Sequence, residues 1–130
     1  MVERNSKKVA SRDNTINERA SMKAKLKVWV VFKDTVKFGD GRAQLLELVD
    51  ELGSLKRAVE HFGMSYRNAW GYLRELEQAA GFKILERQPG GGPRSGMRLT
   101  TRGREFLAQY RQFRHEVDAG VKRQFQRAFK

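Results

Sequence analysis

Ser65, Tyr66, Arg67 and Asn68 stand in a row, and Trp70, Gly71 and Arg74 follow them. These side chains can bond to nucleic acid. Arginine can bond guanine O6 and N7 with two parallel hydrogen bonds, and asparagine can do the same at adenine N6 and N7. The hydroxyls of Ser65 and Tyr66 suit phosphate oxygens, as do the unsatisfied N–H groups and positive dipole end of a helix N-terminus. At about 100° per residue, Arg67, Gly71, Arg74 and Gln78 fall on one face. Ala69, Tyr72, Leu73, Leu76 and Ala80 fall on the opposite face, Tyr66 and Trp70 on one flank and Asn68 on the other. The outward face is therefore basic and amide-bearing, shaped to enter a major groove. Gly71 sits in its middle, where glycine costs about 1 kcal/mol of helix stability relative to alanine; close approach to another surface would explain it. The bland alternatives are an ordinary solvated face for Arg67 and Arg74, and for Trp70 packing against a neighbouring element.

The composition fits a polyanionic partner. Lys and Arg number 27 against 15 Asp and Glu, giving a formal net charge of +12. This balance favours nucleic acid first and an anionic membrane surface second. No apolar run approaches the roughly 20 residues of a membrane span, and the first residues lack the apolar stretch of a signal peptide. A cytoplasmic protein associated with the bacterial nucleoid is expected. There is no cysteine, and the two histidines, His61 and His115, lie far apart. With no carboxylate pair, Cys/His arrangement or metal spacing, neither enzyme activity nor a metal or cofactor site is expected. The glycine loop Gly90–Gly96 lacks the Gly-Lys-Ser/Thr ending of a nucleotide-binding loop.

The elements that position these residues can be read along the chain. Residues 1–22 are polar, mixed in charge and without apolar periodicity, which predicts a flexible arm. Lys25–Phe32 alternates with period 2 and reads as a strand, turning at Lys33-Asp34 into Thr35–Phe38, a hairpin. Asp40 is placed to cap a helix carrying Leu45, Leu46, Val49 and Leu52, ended by Gly53. Ser54 caps a second helix with Leu55, Ala58, Val59 and Phe62, ended by Gly63. Ser65 caps the third, which runs to about Gly81. Helix, glycine turn and helix make a helix-turn-helix. Phe82–Arg87 and Met97–Leu99 read as a second hairpin around the loop Gln88–Gly96. Lys83, Arg87, Arg94, Arg98, Arg102 and Arg104 cluster there, with Glu86 the only acid between Lys83 and Arg104. A basic hairpin after a helix-turn-helix is a wing, placing Arg87, Arg94 and Arg98 near phosphates or a minor groove. Thr100 or Thr101 caps a last helix. Its Phe106, Tyr110, Phe113 and Val117 recur at nearly heptad spacing and drift to Val121 and Phe125. Because three helices and two hairpins close a core without it, this stripe is expected to pair two copies. The expected class is mainly α with small β hairpins. It comprises an arm (1–22), a winged helix-turn-helix domain (23–100) and a dimerisation helix (101–130).

The stretch from Gly53 to Gly81, with Leu85–Gly103 after it, resembles the N-terminal DNA-binding domain of the molybdate-responsive ModE family. The marks are Gly53-Ser54, Ser65-Tyr66-Arg67 with Ala69-Trp70, the glycine-rich wing, and Leu99-Thr100 before Gly103; Phe38–Arg42 also fits. The wider layout resembles LysR-type regulators. The resemblance covers about Lys23 to Tyr110. It implies a homodimeric transcription regulator with Ser65–Arg74 in the major groove of double-stranded DNA and a C-terminal helix pairing the subunits. Ser54, Ser65, Tyr66, Arg67, Asn68, Trp70, Gly71, Arg74, Arg87, Arg94 and Arg98 are the candidate DNA-binding residues. Family members continue into a molybdate-binding domain, whereas this chain stops at Lys130. No small-molecule effector is therefore expected to bind this chain alone. The alternative reading is a sequence-nonspecific nucleoid-type or RNA-binding protein.

Overall fold

The computed structural model describes residues 21–88 and 96–130. The expected arm, apart from its last two residues, and Arg94 lie outside the described residues. The chain divides into two compact units. One is Lys27–Gln112; the other joins residues 21–26 to Phe113–Lys130.

The larger unit starts with β1 (Val30–Phe32) and β2 (Val36–Phe38), paired antiparallel with Val30 opposite Phe38 and Phe32 opposite Val36. Lys33 and Asp34 both have positive φ, 53° and 61°, and Thr35 N donates to the Phe32 carbonyl at 3.1 Å. The strand expected from Lys25 is only three residues long. The reason is its partner: β2 ends at Phe38, so residues before Val30 have no ladder to join.

Helix α1 (Asp40–Leu52) buries Ala43, Leu45, Leu46 and Val49. Asp40 is not its cap, as the sequence suggested. The cap is Gly39 in extended backbone, and Asp40 is the first helical residue. Its carboxylate instead accepts the Tyr110 hydroxyl at 2.5 Å, which places negative charge at the positive end of the helix.

The next helices follow the expected caps. In α2 (Leu55–Phe62) Ser54 Oγ accepts from Arg57 N at 3.1 Å, and in α3 (Tyr66–Ala80) Ser65 Oγ accepts from Asn68 N at 3.1 Å. Between them Gly63 takes φ 67°. That left-handed turn is open to glycine at little cost. Leu55, Ala58, Val59, Ala69, Leu73 and Leu76 are buried together.

Strands β3 (Leu85–Arg87) and β4 (Met97–Leu99) form the second hairpin, with Glu86 opposite Arg98. Two carboxylates fix its base. Glu77 Oε2 accepts from Ile84 N at 2.7 Å and Leu85 N at 3.2 Å. Asp50 accepts from Leu99 N at 3.0 Å and from both terminal nitrogens of Arg104, at 2.6 and 3.1 Å. The Arg104 bonds hold the Asp50 carboxyl below its usual pKa, with the Leu99 N–H assisting and partial burial opposing. A depressed carboxyl pKa stabilises the fold above the ordinary carboxylate range. The contribution fades as pH falls through the depressed value.

Helix α4 (Thr101–Ala128) is capped by Thr100, whose Oγ1 accepts from Gly103 N at 2.9 Å. Its first turns complete the core, contrary to expectation. Gly103, Leu107 and Tyr110 are buried, and the Phe106 ring lies 4.8 Å from that of Phe38. Phe38 also meets Tyr110 edge-on at 5.1 Å. Phe106 and Tyr110 are thus spent inside the domain and not on a pairing stripe. The three short helices and two hairpins leave the fully buried Phe38 uncovered, and these rings cover it. Glycine at 103 is a packing requirement: a Cβ there would lie 2.4 Å from the Ile84 carbonyl oxygen.

In the smaller unit, Arg114 pairs with Asp118 at 2.5 Å and donates to the Leu26 carbonyl at 2.9 Å. Phe125 and Phe129 lie 4.9 Å apart, and Phe113 and Phe129 are exposed.

Candidate nucleic-acid interface

Helix α3 brings the expected residues to one surface. Arg67, Asn68, Gly71 and Arg74 are exposed, while Ala69, Leu73 and Leu76 on the other side are buried. The helical period and its packing against α2 and the first hairpin leave no other orientation. Tyr66 is 48% exposed and meets Trp70 edge-on at 6.3 Å. Trp70 itself is half-buried and packs on the core, so its indole forms a wall behind Tyr66. Tyr72, expected on the core face, packs against the core. Its hydroxyl donates to the Lys37 carbonyl at 2.8 Å, and Arg42 stacks over its ring at 3.8 Å. Burial of that phenol, above all, pushes its pKa up to about 12.

Ser54 and Ser65 serve first as caps, each hydroxyl oxygen accepting a backbone N–H. Their O–H protons remain donors, compatible with a phosphate at either helix start. Lys56 and Arg57, missed in the sequence reading, are exposed on the first turn of α2 beside Ser54. A basic pair straight after a helix cap was the signal.

The basic cluster of the wing proves heterogeneous. Strand alternation puts Leu85, Arg87, Met97 and Leu99 on one side and Glu86 with Arg98 on the other. Arg87 is exposed, whereas Arg98 Nε donates to Glu86 Oε2 at 3.0 Å. Arg104 is engaged by Asp50, and Arg102 stacks over Phe82 at 4.5 Å. The wing base is held against the α1–α2 turn. Met97 N donates to the Gly53 carbonyl and Gln88 N to the Gly96 carbonyl, both at 2.9 Å. A Cβ on Gly96 would lie 2.0 Å from the Gly53 oxygen. That contact, which fixes the wing relative to α2, had no signal in the sequence beyond two glycines 43 positions apart.

Residues 42–104 match the model of bacterial regulatory helix-turn-helix proteins of the lysR family. This segment is a LysR-type winged helix domain. It begins at Arg42 in α1 and ends at Arg104 in the first turn of α4, so the LysR-type domain takes in α2, α3 and the wing. The chain is 32% identical over 84 residues to the molybdenum transport protein ModE of Azotobacter vinelandii, covering 65% of this chain and 31% of that protein. It is 32% identical over 69 residues to the transcriptional regulator ModE of Haemophilus influenzae, covering 53% of this chain and 27% of that protein. The chain thus spans under a third of the length of these relatives. Among solved structures it is similar to the protein chain of a CbnR_DBD–DNA complex, with TM-score 0.52 and 23% identity over 66% of this chain and 93% of that one. That likeness confirms the fold expected from the sequence. Among the described residues no helix is long and apolar enough to cross a membrane.

Gly71 offers a direct test of which face of the LysR-type domain is used. Apart from its chain neighbours and the backbone of its own helix, no atom lies within 4 Å of where its Cβ would stand. Gly71→Ala should therefore stabilise the domain by about 0.5–1 kcal/mol, read from urea or thermal unfolding. The same methyl should weaken duplex binding if this face meets DNA. A stabilised variant with unaltered affinity would remove Gly71 from the interface.

Proposed function

We propose that this chain is a sequence-specific transcription regulator that binds double-stranded DNA. Helix α3 enters the major groove, where Arg67 and Asn68 read bases while Tyr66, Ser65 and Ser54 contact phosphates. Arg74 lies one turn further along the same face. The wing, through Arg87 and Arg94, lies on the backbone or in the minor groove. The observation that carries this reading is the exposed Arg67–Gly71–Arg74 face of α3, backed by a buried apolar face and opened by a serine cap. The regulatory family matched over residues 42–104 and the DNA complex of the structural neighbour support it. The test is selection of bound duplexes from random sequence. Enrichment of one motif, bound at least about 10³ times more tightly than scrambled DNA, is the expected result. Equal affinity for every duplex would favour the nonspecific, nucleoid-type alternative.

The second half of α4 is the proposed pairing element between two copies. Phe113 and Phe129 are exposed, and Val117, Val121 and Phe125 are only partly covered. An apolar stripe of this kind is costly to leave in water. Two recognition helices would then meet half-sites roughly 34 Å apart. A chain ending at Glu116 keeps Gly103, Leu107 and Tyr110 in the core, so it should fold as a monomer and lose most of its affinity for a palindromic site. Sedimentation of the full chain as a monomer at tens of micromolar would rule out pairing.

A further inference from the structure

An ion pair joins the two strands of the wing. Glu86 and Arg98 are directly opposed in the β3–β4 ladder, and Arg98 Nε donates to Glu86 Oε2 at 3.0 Å. Both side chains are less than half exposed, 43% and 41%. Glu86 has no part in the core. Its strand neighbour Leu85 is buried, whereas Glu86 itself points away from it and is exposed. The hairpin base is also fixed by Glu77 and Asp50. Glu86 remains the only acid between Lys83 and Arg104.

We infer that Glu86 withholds Arg98 from phosphates and so limits the sequence-independent part of duplex affinity. The inference rests on the DNA-binding reading above. Sequence-independent affinity comes from cations that replace counterions on phosphates. Arg98 joined to a carboxylate carries no net charge to that surface. To reach a phosphate it must give up its bond to Glu86, or bring the carboxylate within a few ångströms of the backbone, well inside the roughly 8–10 Å screening length. Either course costs binding on every sequence. Base contacts from α3 are untouched, because they lie on a different element. The wing therefore grips less strongly than its composition suggests, and the task of holding the protein at a site shifts to α3.

The test compares four full-length chains: native, Glu86→Gln, Arg98→Ala and the double variant. Gln keeps the shape and an acceptor oxygen but removes the charge. Each is titrated against one scrambled duplex at several salt concentrations. Glu86→Gln should bind about two- to fivefold more tightly, the range set by an exposed ion pair. Its salt slope should steepen by about 0.9, one more phosphate contact. Arg98→Ala should have little effect in the native background and a clear weakening effect in the Glu86→Gln background, a non-additivity that a double-mutant cycle isolates. Equal loss from Arg98→Ala in both backgrounds, or an unchanged slope in Glu86→Gln, would overturn the inference. Failure of the underlying reading looks different: the native chain itself would then bind duplex with no salt dependence.

Discussion

Raising the salt concentration from about 50 to 200 mM should weaken binding to a fixed duplex by about three orders of magnitude. The formal charge of +12 suggests an even steeper response, but the structure removes several arginines from the count. Arg98, Arg104, Arg111 and Arg114 are paired with Glu86, Asp50, Glu47 and Asp118. Six exposed cations on α2, α3 and the wing are in no ion pair among the described residues: Lys56, Arg57, Arg67, Arg74, Lys83 and Arg87. About six phosphate contacts per chain at roughly 0.9 each give a slope of log K against log salt near −5 for each bound copy. Fluorescence anisotropy with a labelled duplex at four or five salt concentrations measures it. A slope near zero would contradict duplex binding through this surface. For a single bound copy, a slope near −9 would mean that the paired arginines also turn to the backbone.

Replacing Arg67 by alanine should cost about 1–3 kcal/mol on the best-selected site, a loss of roughly 5- to 150-fold. The preference for one base pair should relax at the same time. Arg67 is exposed in the first turn of α3, directly after the capped N-terminus. Its backbone is fixed by the Ser65 cap and by Ala69 buried two residues on, so its reach is short and its direction defined. It is exposed, and the substitution should leave stability nearly unaltered. Arg94 provides the contrast. As a wing residue it is assigned to the backbone, and Arg94→Ala should weaken all sequences about equally. Measuring both variants on the selected site, on single-base variants of it and on scrambled DNA separates the two roles. A uniform loss from Arg67→Ala with a base-dependent loss from Arg94→Ala would reverse the assignment.

Much of the domain was legible because its determinants are local. A serine that accepts the N–H three residues ahead caps a helix wherever the helix lies, and Ser54 and Ser65 do so. Glycines that take positive φ stop helices, as Gly53, Gly63 and Gly81 do. The phase of α3 separates Ala69, Leu73 and Leu76 from Arg67, Gly71 and Arg74 because 3.6 residues per turn is a property of the backbone. With those pieces the outward basic face follows from the sequence alone, and so does the winged layout.

Tertiary structure decided the matters that depend on a partner far along the chain. β1 is three residues long because β2 ends at Phe38, whatever the alternation before Val30 suggests. Asp40 is taken by Tyr110, 70 residues away, and so does not act as the cap. Phe106 and Tyr110 look like a pairing stripe by spacing, yet they cover Phe38, because three short helices leave that ring open. The basic cluster reads as uniform in sequence, but Asp50 claims Arg104 from 54 residues away and Glu86 claims Arg98 across the ladder. Charge and periodicity are written residue by residue, so the sequence by itself determined the helices, the serine caps of α2 and α3 and the outward basic face of α3. Which of the other cations stay available depended on the acids that folding brought beside them.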